Sequence, residues 1–92
     1  MPEQAVTYDA ASGRYELALE GGVAYAETHS AGERVVFTHT EVPYALRGSG
    51  IGGRLVAGAL DDVRRRGLKV VPRCWFVAGF MARNPEYRDL LA

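Results

Sequence analysis

A single cysteine, Cys74, stands among the 92 residues. That scarcity excludes an intrachain disulfide and any cysteine-rich metal site, and it points to a reducing, cytoplasmic setting. Surplus charge is lacking too: eleven basic and eleven acidic side chains cancel to a formal net charge of zero. Binding nucleic acid by phosphate neutralisation needs a basic excess, so a nucleic-acid partner is disfavoured. No apolar run approaches the roughly 20 residues that a membrane helix requires. Met1-Pro2-Glu3-Gln4 has neither the basic flank nor the apolar core of a signal peptide. Linkers, repeats and low-complexity tracts are missing as well. Residues 1–92 therefore read as one domain, small enough to bury only roughly 60–65% of its unfolded surface.

What is present divides into two halves of different period. The first half alternates. Val6-Thr7-Tyr8 precedes a turn near Asp9 to Gly13, and Arg14 to Glu20 places Tyr15, Leu17 and Leu19 on one face. Gly21-Gly22 reads as a two-residue hairpin turn, since glycine accepts the positive φ that such turns need. Val23 to His29 returns, Ser30-Ala31-Gly32-Glu33 turns again, and Arg34 to Val42 is a fourth, β-branched strand. Four strands on short turns imply an antiparallel meander.

The second half follows a helical period. Gly52, Leu55, Val56, Ala59, Leu60 and Val63 share a stripe, with Arg54, Asp61 and Arg65 turned to water. Arg64-Arg65-Arg66 suits the negative end of the helix dipole, and Gly67 suits a left-handed cap. Leu68 to Val71 is a short strand halted by Pro72. A strand, a helix and a strand make a right-handed crossover, so this last strand is expected to run parallel to Arg34–Val42. Trp75 to Arg83 reads as a second helix, with Trp75 and Phe80 expected in the core. Asn84-Pro85 reads as an N-cap and first position of a final turn through Leu90. The fold class is α+β: a mostly antiparallel sheet, one parallel pair and packed helices.

Between the two halves lies the most informative stretch, Arg47-Gly48-Ser49-Gly50-Ile51-Gly52. A glycine-rich turn that leaves a strand and opens a helix presents unpaired N–H groups at the positive end of the dipole, which suits phosphate. Arg47 adds forked donors and a permanent cation at the mouth of the turn. Gly48-x-Gly50-x-x-Gly53 also fits the dinucleotide fingerprint, but a meander precedes it and too few residues follow Val71 for that fold. No Gly-Lys-Ser/Thr closes the turn, which excludes a nucleoside-triphosphate loop. A plain tight turn, needing positive φ at its glycines, stays open as the bland alternative.

Arg-x-x-Gly-x-Gly, read at Arg47, Gly50 and Gly52, resembles the pyrophosphate-binding loop of the GNAT superfamily of N-acetyltransferases. Further blocks extend the likeness: Phe37-Thr38-His39-Thr40-Glu41-Val42-Pro43, Val70-Val71-Pro72-x-Cys74-x-Phe76 and Arg83-Asn84-Pro85-x-Tyr87. Together they resemble the short single-domain, YjdJ-like branch. Residues Met1 to Ala31 share only the strand pattern. The resemblance implies acetyl-CoA as ligand and co-substrate, lying in a gap between the strand before the loop and the strand after the helix. Val42 would offer backbone hydrogen bonds to the pantetheine amides, and the N–H groups of Gly48, Ser49, Gly50, Ile51 and Gly52 would hold the pyrophosphate.

Acetyl transfer needs a deprotonated amine and a proton for the departing thiolate. His39 and Glu41, two apart on one strand, share a face, and either could take the amine proton. The alternative is a His39 packed in the sheet and a Glu41 paired with a nearby arginine. The resemblance implies a role for Cys74, which could accept the acetyl group beside a helix start near Trp75; otherwise it is a buried apolar residue. Tyr87 could protonate the thiolate or simply pack the C-terminal segment. Short loops replace the helix pair that builds the acceptor side in larger relatives. That side is then open to an amine on a small molecule, a polyamine or a protein, or is completed by a second subunit as a homodimer. The rival readings are a non-catalytic CoA-binding module and a protein-interaction domain.

Overall fold

Short turns set the corners of the sheet in the computed structural model, which describes residues 5–92. The strands are β1 (Thr7–Asp9), β2 (Arg14–Leu19), β3 (Gly22–Ala31), β4 (Arg34–Glu41) and β5 (Lys69–Pro72). They lie in sequence order in one sheet, with β1 to β4 antiparallel and β5 parallel to β4. The crossover is α1 (Ile51–Arg65), followed after β5 by α2 (Trp75–Arg83) and a 3₁₀ segment, Pro85–Leu90. The mixed α+β sheet expected from the sequence is thus the observed one. Among the described residues no helix is long and apolar enough to cross a membrane.

Turn positions differ from expectation by a residue or two. Leu19 pairs with Gly22, so the β2–β3 hairpin turns at Glu20-Gly21, not Gly21-Gly22, and Gly21 takes the left-handed φ of 103°. Ala31 pairs with Arg34, which shrinks the β3–β4 turn to Gly32-Glu33. A tighter turn keeps more of each strand's backbone in ladder bonds. Helix α1 starts at Ile51, one turn before the Leu55 at which its long apolar stripe begins.

The stripe on α1 is buried as its period requires. Leu55, Val56, Ala59, Leu60 and Val63 are fully enclosed against Tyr15, Leu17, Ala24, Ala26 and Phe37 of the sheet. Burial of each leucine contributes about 1.5–3 kcal/mol. The helix ends as a Schellman cap: Gly67 has φ 71° and the Leu68 N–H donates to the Val63 carbonyl at 3.1 Å.

A bulge interrupts β4. Glu27 pairs with His39 but Thr28 pairs with Phe37, leaving Thr38 as the extra residue. Partner strand β3 stays regular and buries Ala24, Ala26 and Thr28 on the α1 side. Thr40, opposite Ala26, therefore shares the α1 side with Phe37, whereas His39 and Glu41 emerge on the outer face.

The arginine run is paired rather than merely solvated. Arg64 donates to Asp89 at 2.6 Å, and Arg65 and Arg66 reach Asp62 at 2.8 and 2.7 Å. Asp62, with its side chain 17% exposed, also accepts the Tyr15 hydroxyl at 2.7 Å. Burial alone would raise the Asp62 carboxyl, but the Tyr15 hydroxyl and the two guanidinium groups outweigh it and hold it below the ordinary value. Burial first, then Asp62, pushes the Tyr15 phenol well above its usual range. A lowered carboxylate pKa adds stability that is present above the unfolded value of about 3.9 and is lost as pH falls through the folded one. Asp62→Asn should therefore flatten the acid limb. Its urea midpoint should change less than the wild type's between about pH 6 and about pH 3; an unaltered acid limb would place that sensitivity elsewhere.

Two C-terminal expectations are corrected. Trp75 is 84% exposed, because it opens α2 on the rim of the molecule while Phe76 and Val77 turn inwards. Asn84 makes no side-chain cap for the following 3₁₀ segment; its amide instead donates backwards to the Phe80 carbonyl at 2.8 Å. Phe80 is half-buried against the core and packs on Tyr87 with ring centroids 5.9 Å apart.

Candidate functional site

The parallel pair β4–β5 comes apart at a defined point. Register runs from Arg34–Lys69 to Phe37–Pro72, and one further bond, Cys74 N–H to the Phe37 carbonyl at 2.9 Å, closes it. Pro72 has no N–H to continue the ladder. The Thr38 bulge turns β4 away on the other side. Beyond Phe37 the two chains diverge into a wedge of about 580 Å³. One wall is Thr38, His39, Thr40 and Val42; the other is Arg73, Cys74, Trp75 and Phe76; Gly48, Gly50, Ile51 and Gly52 meet them at the start of α1.

The glycine turn at that junction has two kinds of glycine. Gly48 and Gly50 have φ 85° and 79°, and a Cβ on either would meet open space, so backbone conformation alone demands glycine there. Gly52 has an ordinary φ, but a Cβ on it would lie 2.7 Å from Cζ of Phe76. Its lack of a side chain lets α2 seat on the first turn of α1. Gly50 caps the helix with no side chain, and no acidic residue stands in the first turn. The first helical bond runs from Arg54 N–H to the Gly50 carbonyl at 3.1 Å, so the amides of Ile51, Gly52 and Gly53 precede the ladder. A helix start without an acceptor side chain keeps its positive end available to an anion.

Not every residue picked from the sequence reaches the wedge. The Ser49 hydroxyl donates to the Leu46 carbonyl at 2.6 Å, and Ser49 does not line the cavity. Arg47 lines it but leans back: Nε donates to the Val42 carbonyl at 3.0 Å and Nη2 lies 3.5 Å from Glu41 Oε2. His39 Nε2 and Glu41 Oε1 are 3.0 Å apart on the outer face, with side chains 51% and 41% exposed. His39 is thus not packed away in the sheet, and Glu41 meets both an imidazole and an arginine. Nearby on the same face, Arg14 covers the Tyr25 ring at 3.9 Å and pairs with Glu27 at 3.1 Å.

Cys74 is 7% exposed and caps α2, with Sγ 3.3 Å from the Thr40 hydroxyl. Thr40 was not legible as a site residue, since regular alternation would put it on the face away from Phe37. Only the break in the apolar pattern after Phe37 marks the bulge. Tyr87 sits outside the wedge; its hydroxyl donates to Asp61 at 3.0 Å, and burial followed by Asp61 raises its phenol. Among the described residues no cluster of His, Cys, Asp and Glu is placed to hold a metal ion.

Comparisons with known proteins bear on the family and the fold. The family model described as GCN5-related N-acetyl-transferase matches residues 14–90. The chain is 44% identical over 55 residues to protein NATD1 of Bos taurus, covering 59% of this chain and 49% of the relative. NATD1 of Homo sapiens gives 44% over 55 residues as well, again covering 49% of the relative. The chain thus spans about half the length of the curated relatives it matches. A GCN5-like protein from Staphylococcus aureus, solved by NMR in solution, superimposes with a TM-score of 0.75 over 100% of this chain and 91% of that one. At 18% identity that likeness speaks for the fold alone.

Proposed function

The chain belongs to the GCN5-related N-acetyl-transferase family, and we propose that it moves an acetyl group from acetyl-CoA to an amine. The observation that carries this reading is the wedge between β4 and β5, which ends on the uncapped, glycine-lined start of α1. A diphosphate suits the amides of Gly48, Gly50, Ile51 and Gly52, where open space and an uncompensated dipole coincide. A polyamide arm suits the parted edges, because β4 beyond Phe37 has lost its neighbour on that side and its free backbone groups need partners. Val42 lines the wedge at the end of this edge and is the proposed partner once Arg47 releases its carbonyl.

An acceptor amine is a cation near neutral pH and must lose a proton before it attacks the thioester carbon. We assign that proton to His39, held in orientation by Glu41 at 3.0 Å, with their side chains 51% and 41% exposed. Attack forms the C–N bond, the nitrogen sheds its second proton to water, and the C–S bond breaks; the departing thiolate takes a proton from the imidazolium. The outer face receives an exposed amine on a small molecule or protein, or is completed by a second copy of the chain.

A second route, through acetylated Cys74, is favoured by one observation: Sγ lies on the wedge wall at the N-terminal end of α2. Against it, the partner at 3.3 Å is the Thr40 hydroxyl, which is no base for a thiol proton. One assay separates the routes and the non-catalytic alternative. CoA release from acetyl-CoA should rise when amines are supplied, and Cys74→Ala should keep most of that activity. Loss of activity in Cys74→Ala, together with an acetyl adduct on the wild type without acceptor, would establish the cysteine route. Stabilisation by CoA without amine-dependent release would reduce the chain to a binding module.

A further inference from the structure

Arg47 stands between the two halves of the proposed site and touches the wrong one for a simple phosphate hook. Its Nε–H donates to the Val42 carbonyl at 3.0 Å, and its Nη2 lies 3.5 Å from Glu41 Oε2. The other Glu41 oxygen is 3.0 Å from His39 Nε2. Val42, Arg47, Glu41 and His39 therefore form one polar chain that runs from the strand edge to the outer face. The neighbouring cation on that face, Arg14, is already paired with Glu27 at 3.1 Å. Across the ladder Glu41 faces Tyr25, which carries no charge to replace the guanidinium.

We propose that Arg47 is a latch that couples CoA binding to the state of Glu41. Without a diphosphate, the guanidinium occupies the Val42 carbonyl and screens the Glu41 carboxylate. A diphosphate on the turn that begins at Gly48 offers the same fork more charge and a matching pair of oxygens. Arg47 then leaves Val42 and Glu41 together. The strand edge is freed for the pantetheine amides, and the Glu41 carboxylate, released from its paired cation, is left beside His39 to draw in an ammonium group. The side chains of Arg47 and Glu41 are 58% and 41% exposed, so the exchange breaks an open, solvent-screened pair and disturbs no packing. Arg47 thereby acts as a positioning residue for the base as well as a phosphate ligand. The latch rests on the acyltransferase reading and adds to it a link between CoA binding and the release of Val42 and Glu41.

The test is a double-mutant cycle in CoA affinity, measured by calorimetry on the wild type, Glu41→Gln, Arg47→Ala and the double variant. Glu41→Gln removes the competing partner of Arg47 and should tighten CoA by about threefold. Arg47→Ala should weaken it by about tenfold. In the Arg47→Ala background Glu41→Gln should change nothing, because no guanidinium remains to release. An equal gain in both backgrounds would mean that removing a negative charge helps any polyanion, and the latch would be wrong. Unchanged affinity in Glu41→Gln would overturn it too, leaving CoA binding intact. A wild type that fails to bind CoA would remove the acyltransferase reading itself. Matching thermal midpoints of the unliganded variants confirm that their folds are retained.

Discussion

His39→Ala should lower kcat for acetyl transfer by roughly 10²–10⁴-fold while leaving CoA affinity close to the wild-type value. The reason lies in where the bulge puts the side chain. Phe37 faces α1, and one extra residue at Thr38 sends His39 to the open face, where Glu41 engages Nε2 at 3.0 Å. The anion-binding amides lie in a different element, at the start of α1, so the loss falls on the chemical step and not on cofactor binding. Glu41→Gln should lose less, since the imidazole stays in place and only its orienting partner is weakened. Stopped-time assays with saturating acetyl-CoA, beside calorimetric CoA binding, separate the two quantities. A kcat within about threefold of the wild type would mean that the proton leaves by another path.

Phe37→Ala should cost about 3–5 kcal/mol of folding stability. Phe37 is fully buried, its ring is stacked 6.0 Å from Tyr15, and its backbone spans the last rung between β4 and β5. Removing the ring opens a cavity at the hinge of the wedge, where α1 and α2 both rest on the sheet. Domains of this size have only about 5–15 kcal/mol in total, so the urea midpoint should fall by a large fraction. A shift equivalent to less than about 1 kcal/mol would show that neighbouring side chains collapse into the space.

Much of this architecture was readable because burial enforces a period. Leu55, Val56, Ala59, Leu60 and Val63 can share one side only on a helix, and Tyr15 and Leu17 only on a strand. The parallel placement of β5 followed from connection handedness. The glycine turn was readable because positive φ and a helix start leave a local mark. What escaped was set by tertiary pairing. The Thr38 bulge exists because β3 and β4 match on both sides of it, and nothing within Thr38-His39-Thr40 announces which residue is extra. Thr40 was missed with it. Trp75 was misplaced because an aromatic at a helix start can face either way, and Phe76, seated on Gly52, claimed the inner position. Arg47 lines the wedge, yet its contact with Val42 and Glu41 depends on how the loop folds back over β4, which spacing does not encode.

The decisive measurement is a CoA titration followed by backbone amide NMR. Gly48, Gly50, Ile51, Gly52 and Gly53 should show the largest shifts, with Val42 moving in step. Dephospho-CoA, which keeps the diphosphate, should reproduce that pattern. If these amides stay still while CoA is bound elsewhere, or if no resonance moves at all, the start of α1 is not an anion site and the acetyl-transfer reading is wrong.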